Sequence, residues 1–354
     1  MHAWNRRRTL AVTLGLTGAL ALTACGADGP ASSPTATGSA PADPVVVTLV
    51  SHDSFSLSEA DTAALAEQGI EVEHVKIGDG GTLVNQLVLT KDAPLGDVVY
   101  GIDNTFASRA VDAGVFEPYT SPSLPEGAQG ALIGDALTPV DQGDVCINVD
   151  DAWFAEQGLE APTTLDQLAD EDYRDLLVVT NPATSTPGLG FLLATIGAYG
   201  EDGYLAYWQS LVDNGLKVVD SWEDAYYTDF TQGEGTRPLV LSYGSSPAYT
   251  LADDGSSTTS AMLGTCFRQV EYAGILQGQD AGEAAQLVIE HLLSDEFQRA
   301  LPENVYMYPV ADVPLPEPFE QHAALAPDPI TLDPATITAN RDDWIQAWSD
   351  AVLG

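Results

Sequence analysis

Over most of this chain, apolar residues fall in short, almost unbroken runs separated by polar turns, the pattern of buried strands alternating with helices. Residues 45–50 are such a run and predict a buried parallel strand. Ser58 is placed to cap a helix running to Gln68, where Gly69 stops it. Residues 72–77 predict a second strand, Gly78-Asp79-Gly80-Gly81 a turn, and residues 82–89 another helix. Residues 97–100 predict a short strand ending at Gly101-Ile102-Asp103-Asn104, with Asn104 as N-cap of a helix that stops at Gly114. This β-α-β-α-β succession implies a parallel sheet covered by helices. Ligands of such sheets gather beyond the carboxyl ends of the strands, here residues 51–55 and 101–104.

A second alternation follows residue 143, with strands at 176–180, 216–219 and 239–243 and helices at 190–199 and 222–230. Further helices are expected at 282–293, 294–300 and 334–353. Two α/β lobes joined without a long linker imply a cleft, the usual seat of a small ligand.

The first residues follow a different rule. Arg6-Arg7-Arg8 precede an uncharged stretch that ends in Leu22-Thr23-Ala24-Cys25. The apolar part is too short for a comfortable span of a bilayer core about 30 Å thick. It has the build of a signal peptide, and its end resembles a bacterial lipobox. Residues 1–24 are therefore expected to be a lipoprotein signal peptide, with Cys25 lipidated. Residues 25–44 are expected to be a flexible tether, since after Cys25 they contain only Gly, Ala, Asp, Pro, Ser and Thr. Such a tether reaches roughly 25 Å on average. The protein is thus expected on the outer face of the cytoplasmic membrane, held through a lipid anchor.

Charge narrows the choice of partners. Twelve Lys and Arg against 52 Asp and Glu leave a formal net charge of −40, which excludes nucleic acid and favours a cationic ligand. Screening limits that preference, because exposed charges reach only about 8 Å in physiological salt. Outside the cytoplasm the two remaining cysteines, Cys146 and Cys266, are expected to pair, the alternative being one reactive thiol and one buried one. His52, His74, His291 and His322 have no metal-site spacing. None of the three lysines precedes Ser or Thr, so there is no Walker A loop, and no G-x-S-x-G elbow is present. The reading is of a protein that is not an enzyme and carries no cofactor and no metal.

Three groups of residues carry chemistry. Asn181-Pro182-Ala183-Thr184-Ser185-Thr186-Pro187-Gly188-Leu189-Gly190 links a predicted strand to a helix. With Ser185 or Thr186 as cap and Pro187 in the first turn, its free amides suit a neutral or anionic group. Trp222, Tyr226, Tyr227, Tyr243, Tyr249, Tyr306 and Tyr308 cluster in segments rich in Ser, Gly and Pro, where aromatics stack on planar ligands or cations. Asp53 and Asp103, both at predicted strand ends, are the natural carboxylates to meet a positive group.

Taken in order, Asp53-Ser54-Phe55, Gly101-Ile102-Asp103-Asn104, Ser185-Thr186-Pro187-Gly188-Leu189-Gly190, Trp222-Glu223-Asp224-Ala225-Tyr226, residues 241–249 and Met307-Tyr308-Pro309-Val310 closely resemble the thiamine-binding proteins of bacterial ABC importers. The resemblance runs over nearly all of residues 45–350. It implies a two-lobed α/β periplasmic-binding-protein fold of the second topological type, monomeric, with residues 45–142 and 266–315 as one lobe and 143–265 and 316–354 as the other. It also implies thiamine, thiamine monophosphate or thiamine diphosphate as ligand, handed to an ABC permease driven by a separate ATPase. By the same resemblance, Ser185, Thr186 and Trp222 hold the phosphate or hydroxyethyl end, and Tyr226, Tyr243 and Ser245 line the thiazolium side. Tyr306 stands where the family commonly has a tryptophan stacked on the aminopyrimidine, and His52 where it commonly has a tyrosine. The loop after Phe55 is shorter than the family's and lacks its tryptophan.

Three other functions fit parts of this pattern. Tyr226-Tyr227 suits a ferric-ion-binding protein of the same fold. Acid and aromatics together suit a polyamine-binding protein. A type I thiaminase-like enzyme would use Cys146 or Cys266 as nucleophile.

Overall fold

The computed structural model describes residues 43–233 and 235–354. The expected signal peptide, Cys25 and all but the end of the tether lie outside the described residues. Among those described, no helix is long and apolar enough to cross a membrane.

The first half alternates as its sequence pattern predicts: β1 (Val45–Ser51), α1 (Glu59–Glu67), β2 (Ile70–Lys76), α2 (Gly80–Leu89), β3 (Val98–Asp103) and α3 (Ala107–Asp112). Short β4 (Phe116–Glu117) follows, then the long β5 (Thr138–Asp150) and α4 (Asp151–Gln157). The second half adds β6 (Leu177–Thr180), α5 (Thr186–Tyr199), α6 (Tyr204–Asp213), β7 (Lys217–Val219), β8 (Leu239–Tyr243) and β9 (Thr259–Ala261). The chain closes with β10 (Phe267–Leu276), α7 (Glu283–Leu292), α8 (Asp295–Val305), β11 (Tyr308–Pro309), α9 (Glu317–His322) and α10 (Pro334–Val352).

All the strands belong to one sheet, in the order β2-β1-β3-β10-β5-β8-β6-β7, with β4 on β10 and with β9 and β11 on β5. Parallel pairing at the two ends, β2-β1-β3 and β8-β6-β7, is what helix crossovers produce. Between them β10 and β5 run antiparallel. Residues 138–145 of β5 pair with β10 and residues 145–149 with β8, so this one strand carries the sheet from one half to the other. Cys146 of β5 is joined to Cys266, just ahead of β10, by a buried disulfide that ties the two connecting strands together.

The core lies on both faces of this sheet. On one face Leu83, Phe106, Ile147, Phe191, Trp208 and Trp348 belong to a single apolar cluster that extends under both halves. On the other, Leu49, Tyr100, Ile289 and Phe297 pack α7 and α8 against the first half.

Local chemistry explains where elements start. Ser58 and Asp61 form a reciprocal capping box on α1, Asp61 N–H donating to Ser58 Oγ and Ser58 N–H to Asp61 Oδ2. Two expected starts are corrected. Helix α2 begins at Gly80 with Asp79 as its N-cap, so Gly78-Asp79-Gly80-Gly81 is a helix entry as well as a turn. Asn104 does not cap α3; its side chain accepts from Val270 N–H of β10, and Asp103 accepts from the amides of Thr105 and Phe106 instead. Residues 222–230 also depart from an ordinary helix. Asp224–Asp229 wind as a wide π turn, a geometry that recurs at functional sites.

Candidate functional site

A cavity, partly open to solvent, lies where the carboxyl ends of β1 and β3 face the start of α5, the π turn and the end of α8. Aromatic rings form much of its wall. Trp222 is nearly buried, its indole N–H donating to Ser242 Oγ at 2.9 Å. Behind it Tyr226 stacks at a centroid distance of 5.0 Å and 20° between planes, and Tyr226 in turn leans on Phe230. The π turn places consecutive residues Tyr226 and Tyr227 on different sides of Trp222, so that Tyr227 meets the indole edge-on and lines the cavity. Tyr243 and Tyr306 complete the ring set, each with its centroid 6.2 Å from that of Trp222.

Tyr306 holds its place at a backbone cost. It is the residue after α8 and sits in the left-handed region at φ 61°, where a side chain other than glycine is unfavourable. Ser245 donates its hydroxyl to the Tyr306 carbonyl, and the Tyr249 ring packs 4.2 Å from the Tyr306 ring. Those contacts fix the conformation.

The charged lining residues are His52, Asp79, Glu223 and Glu271. Asp79 binds the two halves together: Oδ1 accepts from Gly80 N–H at 2.6 Å and Thr186 N–H at 3.0 Å, and Oδ2 accepts from Trp222 N–H at 3.0 Å. Burial raises its pKa against the pull of those amides, with burial the larger effect. Close approach here depends on glycine, since a Cβ on Gly80 would stand 2.2 Å from Thr186 Oγ1. Thr186 Oγ1 is buried and has no hydrogen-bond partner.

Glu271 is the last residue of β10 before its ladder slips by one residue against β5, and against β3 the slip comes one residue later, the extra residue lying each time on the neighbouring strand. Its carboxylate accepts from Gln269 Nε2 at 2.8 Å and from Tyr100 OH at 3.3 Å, and Tyr100 OH also donates to Asp141. Burial, then the charge of Glu271, pushes the Asp141 carboxyl well above its ordinary range. His52 Nε2 is 3.8 Å from Glu271 Oε2. Burial pulls the His52 pKa down, but Glu271, Asp79 and Asp53 together outweigh it, and the net shift is upward. The ring fits because residue 101 is glycine at φ +89°; a Cβ there would stand 2.1 Å from His52 Cδ2.

Such a wall of ring faces with carboxylates set among them can sandwich a planar cation. Cys146 and Cys266 are joined to each other and neither lines the cavity, so neither is the free thiol that a thiaminase-like enzyme would use.

The family profile of bacterial extracellular solute-binding proteins matches residues 93–327. The thiamine-binding periplasmic protein of Escherichia coli is 32% identical over 316 residues, which is 87% of this chain and 93% of that protein. The chain belongs to the bacterial extracellular solute-binding proteins. A solved periplasmic thiamin binding protein superposes with a TM-score of 0.77 at 30% identity, covering 87% of this chain and 96% of the other. An iron uptake protein of Synechocystis is a more distant relative, 25% identical over 269 residues, 67% of this chain and 71% of its own. The solute-binding protein thus has the two-lobed α/β periplasmic-binding fold, and the cavity occupies its cleft.

Of the expected site residues of this solute-binding protein, His52, Thr186, Trp222, Tyr243 and Tyr306 line the cavity together. The others stand behind them. Tyr226 backs Trp222, Ser245 holds Tyr306, and Ser185 turns its hydroxyl to Thr180 Oγ1 at 2.9 Å while capping α5. Asp53 sits just outside, and its neighbour Ser54 takes the wall position. Asp103 is completely buried and accepts from the Thr105 hydroxyl and the amides of Thr105 and Phe106 in the turn ahead of α3, its pKa raised by burial to about 6. The carboxylates that do face the cavity, Asp79, Glu223 and Glu271, were missed, whereas Tyr227, expected only as one of the cluster of loop aromatics, lines it. Two had a legible signal: an Asx residue ahead of two glycines at a helix entry, and a single acid in the middle of an apolar strand.

Proposed function

We propose that this solute-binding protein captures thiamine outside the cytoplasmic membrane and delivers it to the permease of an ABC importer whose ATPase is a separate subunit. The observation that carries the reading is the Trp222, Tyr227, Tyr243 and Tyr306 ring set facing Glu271 across one cleft. Thiamine is flat and permanently cationic, which is what ring faces and a carboxylate together favour. Cation–π contacts contribute about 0.5–2 kcal/mol each. A nanomolar ligand requires roughly 12 kcal/mol, so closure of both lobes and desolvated charge contacts supply the remainder.

In this reading the lobes are residues 45–142 with 266–315 and residues 143–265 with 316–354, the molecule is a monomer, and Cys25 carries a lipid anchor. It performs no chemistry of its own. A ferric site at Tyr226-Tyr227 is not favoured, because Tyr226 is committed to packing between Trp222 and Phe230.

Calorimetry of the purified protein with thiamine, spermidine and ferric citrate tests the reading. Thiamine is expected to bind at one site with submicromolar affinity, weakened at least about tenfold (~1.4 kcal/mol) by Trp222→Ala or Tyr306→Ala. Absence of thiamine binding, with spermidine or ferric ion bound instead, overturns it.

A further inference from the structure

Three carboxylates stand in one row across the middle of the sheet. Glu271 of β10 is paired directly with Asp103 of β3 on one side and with Asp141 of β5 on the other, and all three are buried. Like charges directly opposite one another on neighbouring strands are destabilising, and burial makes them more so. Asp103 is answered by the Thr105 hydroxyl and by the amides of Thr105 and Phe106. Asp141 and Glu271 are answered far less. They share the single hydroxyl of Tyr100, which donates to Asp141 and lies 3.3 Å from Glu271 Oε2. Asp141 Oδ1 has no partner, and the other donor to Glu271 is Gln269 Nε2.

No fixed cation compensates this row. Among the described residues no Lys or Arg lines the cavity, and Arg268, on the same strand as Glu271, is bonded to Asp144. His52 Nε2, 3.8 Å from Glu271 Oε2, is the neighbour able to bring a positive charge. The remaining ionisable groups on the cavity wall are the phenols of Tyr227, Tyr243 and Tyr306 and the acids Asp79 and Glu223, none of which can. In the empty cleft the row is therefore neutralised by protons, one held between Asp141 and Glu271 and one on His52. Burial, then the charge of Glu271, raises the Asp141 carboxyl, in keeping with a retained proton. A cation set against Glu271 neutralises the row without one.

We propose that His52, Glu271 and Asp141 form one proton-exchanging group in which a cationic solute takes the place of a proton, and that Asp141 is its positioning residue, acting on Glu271 from across the strand pair without meeting the solute. The proton leaves to solvent as the cation enters. The proposal rests on the thiamine reading above.

Calorimetry of thiamine binding in buffers of different ionisation enthalpy counts the protons released. The unmodified protein is expected to release at least about a quarter of a proton per thiamine between pH 6 and pH 8, with affinity rising by the matching slope. Asp141→Asn keeps the size and an acceptor for Tyr100 but cannot hold the shared proton. It is expected to lower the count by about half, a change that a merely structural role would not produce. His52→Gln is expected to lower it too, and both substitutions together to bring it below about a tenth of a proton. If Asp141→Asn does not fold, Tyr100→Phe serves: it removes the shared hydroxyl and is expected to shift the pH of greatest release upward by about half a unit. Thiamine bound with no proton released overturns the proposal. A count unmoved by Asp141→Asn, or a pH of release unmoved by Tyr100→Phe, overturns the role of Asp141. Failure of thiamine to bind removes the thiamine reading itself, and this proposal with it.

Discussion

His52 is the histidine on the cleft wall, and its surroundings decide which way its change of charge acts. Burial favours the neutral ring, but Glu271 at 3.8 Å and the charges of Asp79 and Asp53 favour the imidazolium and win, so the pKa lies above 6.5. Below that pKa a positive ring stands beside a cationic ligand and opposes it; above it the opposition is gone. The acids that share this wall act in the same sense. Asp79 and Glu223 on the wall, and Asp141, joined to Glu271 through the Tyr100 hydroxyl, have pKa values raised chiefly by burial, and each gains negative charge as pH rises. Tyr100, Tyr226, Tyr227 and Tyr243 have raised values and stay neutral throughout. Thiamine affinity is therefore expected to strengthen by at least about threefold between pH 6 and pH 8. His52→Gln should flatten that dependence. Calorimetry across the range checks it, and an affinity that falls as pH rises would contradict the charge map of the cleft.

Elements carry the next level of argument, because each wall of the cleft is the end of one. The disulfide fastens β5, which passes through both halves, to the start of β10, which holds Glu271. It closes a separation of 120 residues, and the loop-entropy relation gives about 4–5 kcal/mol for a bridge of that length. Replacing both cysteines by serine is expected to lower the urea-unfolding free energy by an amount of that order, and a loss below ~1 kcal/mol would show that the bridge is idle. Periodicity and turn residues made most elements readable in advance, including β1, α1, β6, β8, α7 and α10. What they missed depends on contacts distant in sequence. Asn104 looked like a cap because nothing local shows that β10 will lie beside it and claim its side chain. Asp103 looked free for a ligand because its spacing to Thr105 and Phe106 reads as an ordinary strand end. Tyr226 was expected on the ligand side from the family resemblance, which does not show that Asp224–Asp229 wind as a π turn with Tyr226 stacked behind Trp222 and Tyr227 on the cavity wall. Glu271 reaches the cavity from a strand whose neighbours, β3 and β5, are distant in sequence, so nothing local to it shows what it will face.

At the scale of the molecule the question is what must move for a ligand to enter. Contacts across the cleft are aromatic where Tyr306 packs against Tyr249 and Trp222, and polar elsewhere. Besides the bonds from Thr186 N–H and Trp222 N–H to Asp79, Thr82 N–H donates to the Thr184 carbonyl at 2.9 Å, and Asn85 Nδ2 reaches the Ala183 carbonyl at 3.5 Å. Polar contacts of this kind exchange readily with water, each with a net worth of about 1 kcal/mol and somewhat more where charge is involved. The apolar core behaves differently, since it is continuous under both halves and has no reason to part. Motion is therefore expected as a bend at β5 and β10 that opens the Asp79 seam while the core stays intact. The high negative charge assists opening, because like charges on the facing surfaces repel each other until a cation sits between them. A protein of this size has a radius of gyration of roughly 20 Å. Adding thiamine is expected to reduce the value measured by small-angle X-ray scattering by on the order of 1 Å, with a matching fall in maximum dimension. Asp79→Ala removes the acceptor that gathers Gly80, Thr186 and Trp222, so it should remain expanded until ligand is saturating. If scattering from the unmodified protein is identical with and without thiamine while calorimetry reports binding, the ligand enters a cleft that does not hinge, and the Asp79 seam is a permanent bond.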